Sequence, residues 1–209
     1  LNNQLVSSVD IAPTFLKAAG LEALTDFNGF SFLPLLTDAS AEIRTDIYAE
    51  DHFHDFEDYT RAVRTKEFKY IKNYYADLPN TPSADVIRDR TWQSMKEEKG
   101  KGTLNADQLR CFEMPRPTEE LYDIVEDPNE LNNLALLTEY NETLDNMRSR
   151  LNSMRENTND VLPSERTPDD FFRETGLPTK YRIRPRPSKA EYMKAMEKGE
   201  VLFNPDFKE

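Results

Sequence analysis

Two runs of β-forming residues, Arg61–Thr65 and Phe68–Asn73, are separated only by Lys66 and Glu67. A link that short forces the runs to lie side by side as an antiparallel hairpin. Val63, Phe68, Tyr70 and Ile71 supply the β-branched and aromatic side chains that suit a pleated surface. The connecting pair lacks the Gly or Asn that such turns favour.

Other elements can be placed around this hairpin. Leu144, Met147, Leu151 and Met154 recur at helical spacing, so a helix with one continuous apolar stripe is expected over residues 139–155. Ile47–Ala49 and Glu120–Ile124 read as strands. The turn signal Asp127-Pro128-Asn129 follows the second of these, and Asn132 and Asn133 stand before apolar residues as N-caps do. Upstream, Ser8, Asp10 and Pro13 open a short helix over residues 10–19, which Gly20 closes. Residues 30–36 are densely apolar around Pro34 and need a surface to cover them. Residues 77–83 read as a loop, 84–98 as a helix with Val86, Ile87 and Met95 on its apolar side, and 188–198 as a last helix. The fold class expected is α+β.

Composition narrows the function. The net charge of −12 disfavours general nucleic-acid binding and anionic membranes, though a local basic pocket for an anionic substrate remains compatible with it. The single cysteine, Cys111, cannot form an internal disulfide. No run is long and apolar enough to span a bilayer. The chain opens on Leu1 inside a pattern, as a piece of a longer protein does.

Three stretches share the order and spacing of one enzyme family. The first is Val6-Ser7-Ser8-Val9-Asp10-Ile11-Ala12-Pro13-Thr14 with the Gly29-Phe30-Ser31-Phe32-Leu33-Pro34-Leu35-Leu36 run. The second is Arg61-Ala62-Val63-Arg64-Thr65 with Phe68-Lys69-Tyr70-Ile71. The third is Glu120-Leu121-Tyr122-Asp123 followed by Asp127-Pro128-Asn129-Glu130 and Asn133-Leu134-Ala135. Together they resemble the C-terminal part of formylglycine-dependent sulfatases of the alkaline-phosphatase-like superfamily. Asn157-Thr158-Asn159-Asp160 followed by Pro163 is similar to the N-sulfoglucosamine sulfohydrolase branch.

The resemblance implies a small antiparallel sheet with packed helices, preceded by the last helix of an alkaline-phosphatase-like α/β domain. Residues 1–40 would be the tail of that catalytic domain, 41–160 the C-terminal subdomain, and 161–209 a proline-rich, basic extension. It implies a sulfuric ester hydrolase acting on sulfate esters or N-sulfates of glycans, with this segment shaping the pocket. Calcium and formylglycine would both be supplied by residues upstream of this chain, so the segment alone is expected to be inactive and to bind neither. Expected partners are a sulfated carbohydrate and the N-terminal catalytic domain. The family also implies a periplasmic, secreted or lysosomal location.

No catalytic or metal-binding residue is assigned here. The formylglycine motif needs Cys-x-Pro-x-Arg or Ser-x-Pro-x-Arg, and neither occurs; Cys111 with Pro115 and Arg116 has the wrong spacing. The acidic segment 38–58 lacks the Asp-x-Asp spacing of a calcium loop. Substrate-binding candidates are Glu50, His52, His54 and Arg61. The two histidines are the only ones in the chain, and imidazoles can donate to sulfate or carboxylate oxygens. Two other readings stand beside rim contact: an exposed loop that contains histidine, and a metal site short of ligands. Arg61 and Arg64 point to opposite faces; Arg61 either faces the pocket or pairs with the nearby acidic segment. Arg182, Arg184 and Arg186 either steer an anionic glycan or form a solvated tail. Rival functions are a phosphodiesterase or phosphonate hydrolase of the same superfamily, and a non-catalytic glycan- or partner-binding module.

Overall fold

The computed structural model of the chain describes residues 2–21, 27–38, 40–182, 193–194 and 197–198. Four strands form one antiparallel sheet in chain order: β1 (Ile47–Asp51), β2 (Thr60–Arg64), β3 (Phe68–Asn73) and β4 (Glu119–Asp123). The hairpin turn forms without Gly or Asn because Thr65 replaces them. Its Oγ1 accepts the backbone N–H of Glu67 at 3.2 Å and of Phe68 at 3.0 Å, so a side chain closes the turn.

The register places Tyr48, Val63, Tyr70 and Leu121 in one row across the sheet. A helix, α6 (Asn141–Asn157), lies over that row and buries Leu144, Met147 and Leu151 against it. Each of these side chains contributes roughly 1.5–3 kcal/mol by leaving water. The next row on the same face is charged: Glu50, Arg61, Lys72 and Glu119. Arg148 of α6 meets Glu119 through Nε at 2.8 Å and Nη2 at 2.6 Å, and the Tyr70 hydroxyl donates to it as well. The Arg148 bonds do most to hold the Glu119 carboxyl down at about 2.

Between β3 and β4 lie α3 (Ala84–Ile87), α4 (Arg90–Lys101) and α5 (Ala106–Arg110). The single helix expected over 84–98 is thus two. Asp89 adopts an extended backbone and accepts the Thr91 N–H at 2.7 Å, which caps α4 and interrupts the run. Ile87 is buried while Val86 is exposed. The fifth helix begins with a reciprocal cap between Asn105 and Gln108.

Asn133 caps no helix. Its side chain accepts the Leu121 and Ala135 N–H groups and donates to the Glu119 carbonyl, tying the turn after β4 to the strand edge. The N-terminal part carries α1 (Ile11–Ala18) and α2 (Leu33–Thr37), the latter opening with Pro34 in its first turn. Phe15, Phe30 and Leu36 are left exposed there.

A second core joins Phe56, Ala84, Ile87 and Phe171. Phe171 belongs to the extension expected to begin at 161, so packing does not stop at 160. Asp170 donates its N–H to the Asp55 carbonyl at 3.0 Å, and Asp169 accepts the Glu57 N–H at 2.7 Å. Gly176 is needed where it is: its φ is +66°, and an added Cβ would stand 2.5 Å from the Ala84 carbonyl oxygen. Arg184, Arg186 and most of the helix expected over 188–198 lie outside the described residues.

Candidate functional site

The three motif stretches have definite structural work. Asp10 is fully buried and accepts the N–H groups of Ser7 and Phe30, each at 2.8 Å, and a bond from Arg44. Thr14 donates to the Asp10 carbonyl and accepts from the Phe32 N–H. Gly29 lets the two stretches meet, since a Cβ there would be 1.9 Å from the Val9 carbonyl oxygen.

His52 and His54 follow the end of β1, and both are exposed. The His52 ring meets Tyr59 edge-on at 5.2 Å. Nδ1 of His54 lies 3.3 Å from Oδ2 of Asp55, which also accepts the Ala84 N–H at 2.8 Å. The two histidines share a hollow of about 290 Å³ with Asp51, Thr81, Ser83 and Arg173. Loss of water around it, then the charge of Asp58, raises the Asp51 carboxyl. Asp58 itself is held by Arg116 at 3.0 and 2.9 Å. Arg173 is spent on Asp169, the carbonyls of Pro79 and Glu57, and Thr81 Oγ1. Beside the two imidazoles, the hollow is lined by the exposed Asn80 and by the carboxylates of Asp51, Asp55, Glu57 and Asp58. The carboxylates suit the hydroxyl or amino hydrogens of a ligand, and the imidazoles can also donate to its oxygens.

Glu50 faces a different hollow, with Ser7, Arg44, Tyr48 and Asp160 among its walls. Arg61 lines neither hollow. It is 2% exposed and bonds Asp160 through Nε at 2.8 Å and Nη2 at 2.9 Å. Nη1 reaches the carbonyls of Asp51 and Thr60, and the guanidinium lies 3.7 Å over the Tyr59 ring. The pocket-facing reading of Arg61 is corrected accordingly. A guanidinium buried and saturated by its own protein supports the site from behind, and the ion-pair reading describes it, with Asp160 rather than the 38–58 segment as the main partner. The structure thus brings His52 and His54 together, sets Glu50 apart and places Arg61 between the two hollows.

Asp160 and Tyr59 were not among the candidates. Tyr48 and Tyr59 donate their hydroxyls to Asp160, and Arg155 adds a bond from Nε at 3.1 Å. These donors, Arg61 first, hold the Asp160 carboxyl well below the usual range. The signal for Asp160 lay in the Asn157–Asp160 segment, which carries no periodicity to mark it as an anchor.

Residues 1–99 match the family model described as N-sulphoglucosamine sulphohydrolase, C-terminal. An ulvan-active sulfatase of Formosa agariphila is 38% identical over 151 residues, which cover 71% of this chain and 25% of that protein. The chain carries a sulfatase C-terminal domain. A second ulvan-active sulfatase of Formosa agariphila is 28% identical over 171 residues, which cover 77% of this chain and 31% of that protein. Among solved structures, one in complex with its substrate D-glucosamine-2-N,6-O-disulfate shares 24% identity. Its TM-score is 0.50, with 75% of this chain and 25% of that chain covered, which shows the common fold. The chain spans about a quarter to a third of the length of the curated relatives it matches.

Proposed function

We propose that this chain forms one wall of the substrate pocket in a longer glycan sulfatase, a sulfuric ester hydrolase whose upstream part performs the bond cleavage. The observation that carries the reading is the pairing of exposed His52 and His54 in a carboxylate-lined hollow, on a loop held from behind. Such a wall recognises the hydroxyl or amino groups of a sugar and orients it, leaving the sulfate to the opposite side. Glu50 extends the same surface into the adjacent hollow. Two curated relatives named as ulvan-active sulfatases support a sulfated carbohydrate as substrate.

Formylglycine and calcium, when present in the longer protein, supply the nucleophile and the charge that offsets the sulfate. Among the described residues no group of three or more His, Cys, Asp or Glu is placed to hold a metal ion. This chain's part is to bind, orient and exclude water. Its exposed Phe15, Phe30 and Leu36 are the surface on which the upstream domain would rest. No helix among the described residues is long and apolar enough to cross a membrane. The location proposed, on the family resemblance alone, is periplasmic, secreted or lysosomal.

The test is alanine substitution of Glu50, His52 and His54, one at a time, in the longer protein. Each lost hydrogen bond to the sugar is expected to raise KM about two- to tenfold with kcat nearly unchanged, the signature of lost ground-state binding. Wild-type KM in all three variants would remove these residues from the pocket.

A further inference from the structure

We propose that Asp160 is a positioning residue for the His52 wall. Through Arg61 and Tyr59 its carboxylate fixes the loop on which that imidazole stands. The proposal rests on the reading of His52 as a substrate contact.

The geometry forms a continuous chain of contacts. Asp160 lies just past the end of α6, where Asn159 turns the backbone into the left-handed region at φ 52°. The turn aims the carboxylate back at the sheet. Five donors converge on its two oxygens: the hydroxyls of Tyr48 and Tyr59, Nε and Nη2 of Arg61, and Nε of Arg155. With both those nitrogens held by one carboxylate, the guanidinium plane cannot rotate. Its remaining nitrogen, Nη1, is thereby aimed at the Asp51 carbonyl, 3.1 Å away, in the residue immediately before His52. The second arm runs through Tyr59, whose ring lies under the Arg61 guanidinium and meets the His52 ring at its edge. Asp160 therefore restrains both the backbone before His52 and the surface its ring rests on. It does so without lining the hollow that His52 faces.

A residue that only stabilised the fold would affect the two histidines alike. A positioning residue should not, because His54 leans on Asp55 and is outside this chain of contacts. With only two histidines in the sequence, each imidazole is a separate reporter.

The experiment compares Asp160→Asn and His52→Ala in the longer protein for KM and kcat, and follows both imidazoles by NMR in the full 209-residue chain. The amide keeps the shape but points an N–H at a donor and removes the anion facing two arginines. Asp160→Asn is expected to move the His52 resonances, leave those of His54 in place, and raise KM about as much as His52→Ala does. If Asp160→Asn does not fold, Arg61→Lys serves. A lysine keeps the charge but cannot hold Asp160 and the Asp51 carbonyl at once, and the same pattern is expected of it. A folded variant with unmoved His52 resonances, or with wild-type KM where His52→Ala raises it, overturns the positioning role. If His52→Ala itself leaves KM unchanged, the substrate-contact reading fails instead, and the NMR comparison alone then decides whether Asp160 holds the loop.

Discussion

Replacing Arg61 with Ala is expected to lower the stability of the chain by about 3–5 kcal/mol, because it takes the fully buried member of two arginines from a largely shielded carboxylate and leaves only Arg155 to face it. Asp160 would keep its tyrosine and Arg155 donors but lose the two bonds from Arg61. The carbonyls of Asp51 and Thr60 would each lose a donor as well. The sheet face at that point carries Glu50 beside Arg61, at 3.7 Å, so the substitution also leaves two acidic groups near each other. Urea unfolding measures the loss directly. The midpoint should fall while the slope with denaturant, which reports the surface exposed on unfolding, stays as it was. A loss below about 1 kcal/mol, the range of an exposed pair, would mean that Arg61 is solvated in solution and open to a ligand after all.

The second large effect is expected at Phe171. Its side chain is 5% exposed and fills the core formed with Phe56, Ala84 and Ile87. Truncation to Ala should destabilise by about 3–5 kcal/mol. It should also loosen the loop 55–57, whose backbone is bonded to Asp169 and Asp170. Hydrogen exchange would show this as lost protection at the Glu57 N–H in particular, since that group donates to Asp169. Phe172, next in sequence and 53% exposed, is the control: Phe172→Ala should cost little. Equal, small effects at both positions would make residues 161–182 a loosely attached tail, as their proline content suggests on its own.

The contrast between those neighbours shows where sequence reading succeeds and where it ends. The β2–β3 hairpin and the stripe on α6 were legible because short links and regular apolar spacing are local signals. The cap at Asp89 that splits α3 from α4 is also local, but its signal was outweighed by the helical look of the residues on either side. Asn133 looked like an N-cap because its residue type suits one. Its bonds instead run back to Leu121 and Glu119, which no local pattern announces. Arg61 is the clearest case. Its strand position showed that it points away from the face of Arg64, but not that a carboxylate 99 positions away would saturate it. Among the site residues, the exposure of His52 and His54 followed from their place in a polar segment past a short strand. The role of Asp160 and Tyr59 did not, because it depends on how the end of α6 returns to the sheet.

The resemblance of three short motifs to one family also has a physical basis. Gly29 must pass close to Val9, Asp10 must accept bonds from both stretches, and Asn133 must tie the turn after β4 to its strand. These three motif residues are each fixed by a backbone contact, so they mark the fold. They do not by themselves mark the chemistry.

The measurement that tests the central claim most directly is the identity of the anion released by the longer protein that carries this domain. Purified enzyme is given a sulfated oligosaccharide in one reaction and a phosphodiester or phosphonate monoester in another, with ion chromatography of the products. Free sulfate from the first, with little or no hydrolysis of the second, is the predicted result. Efficient cleavage of the phosphorus ester with no sulfate released would contradict it, and would assign the same scaffold to phosphoryl or phosphonyl hydrolysis.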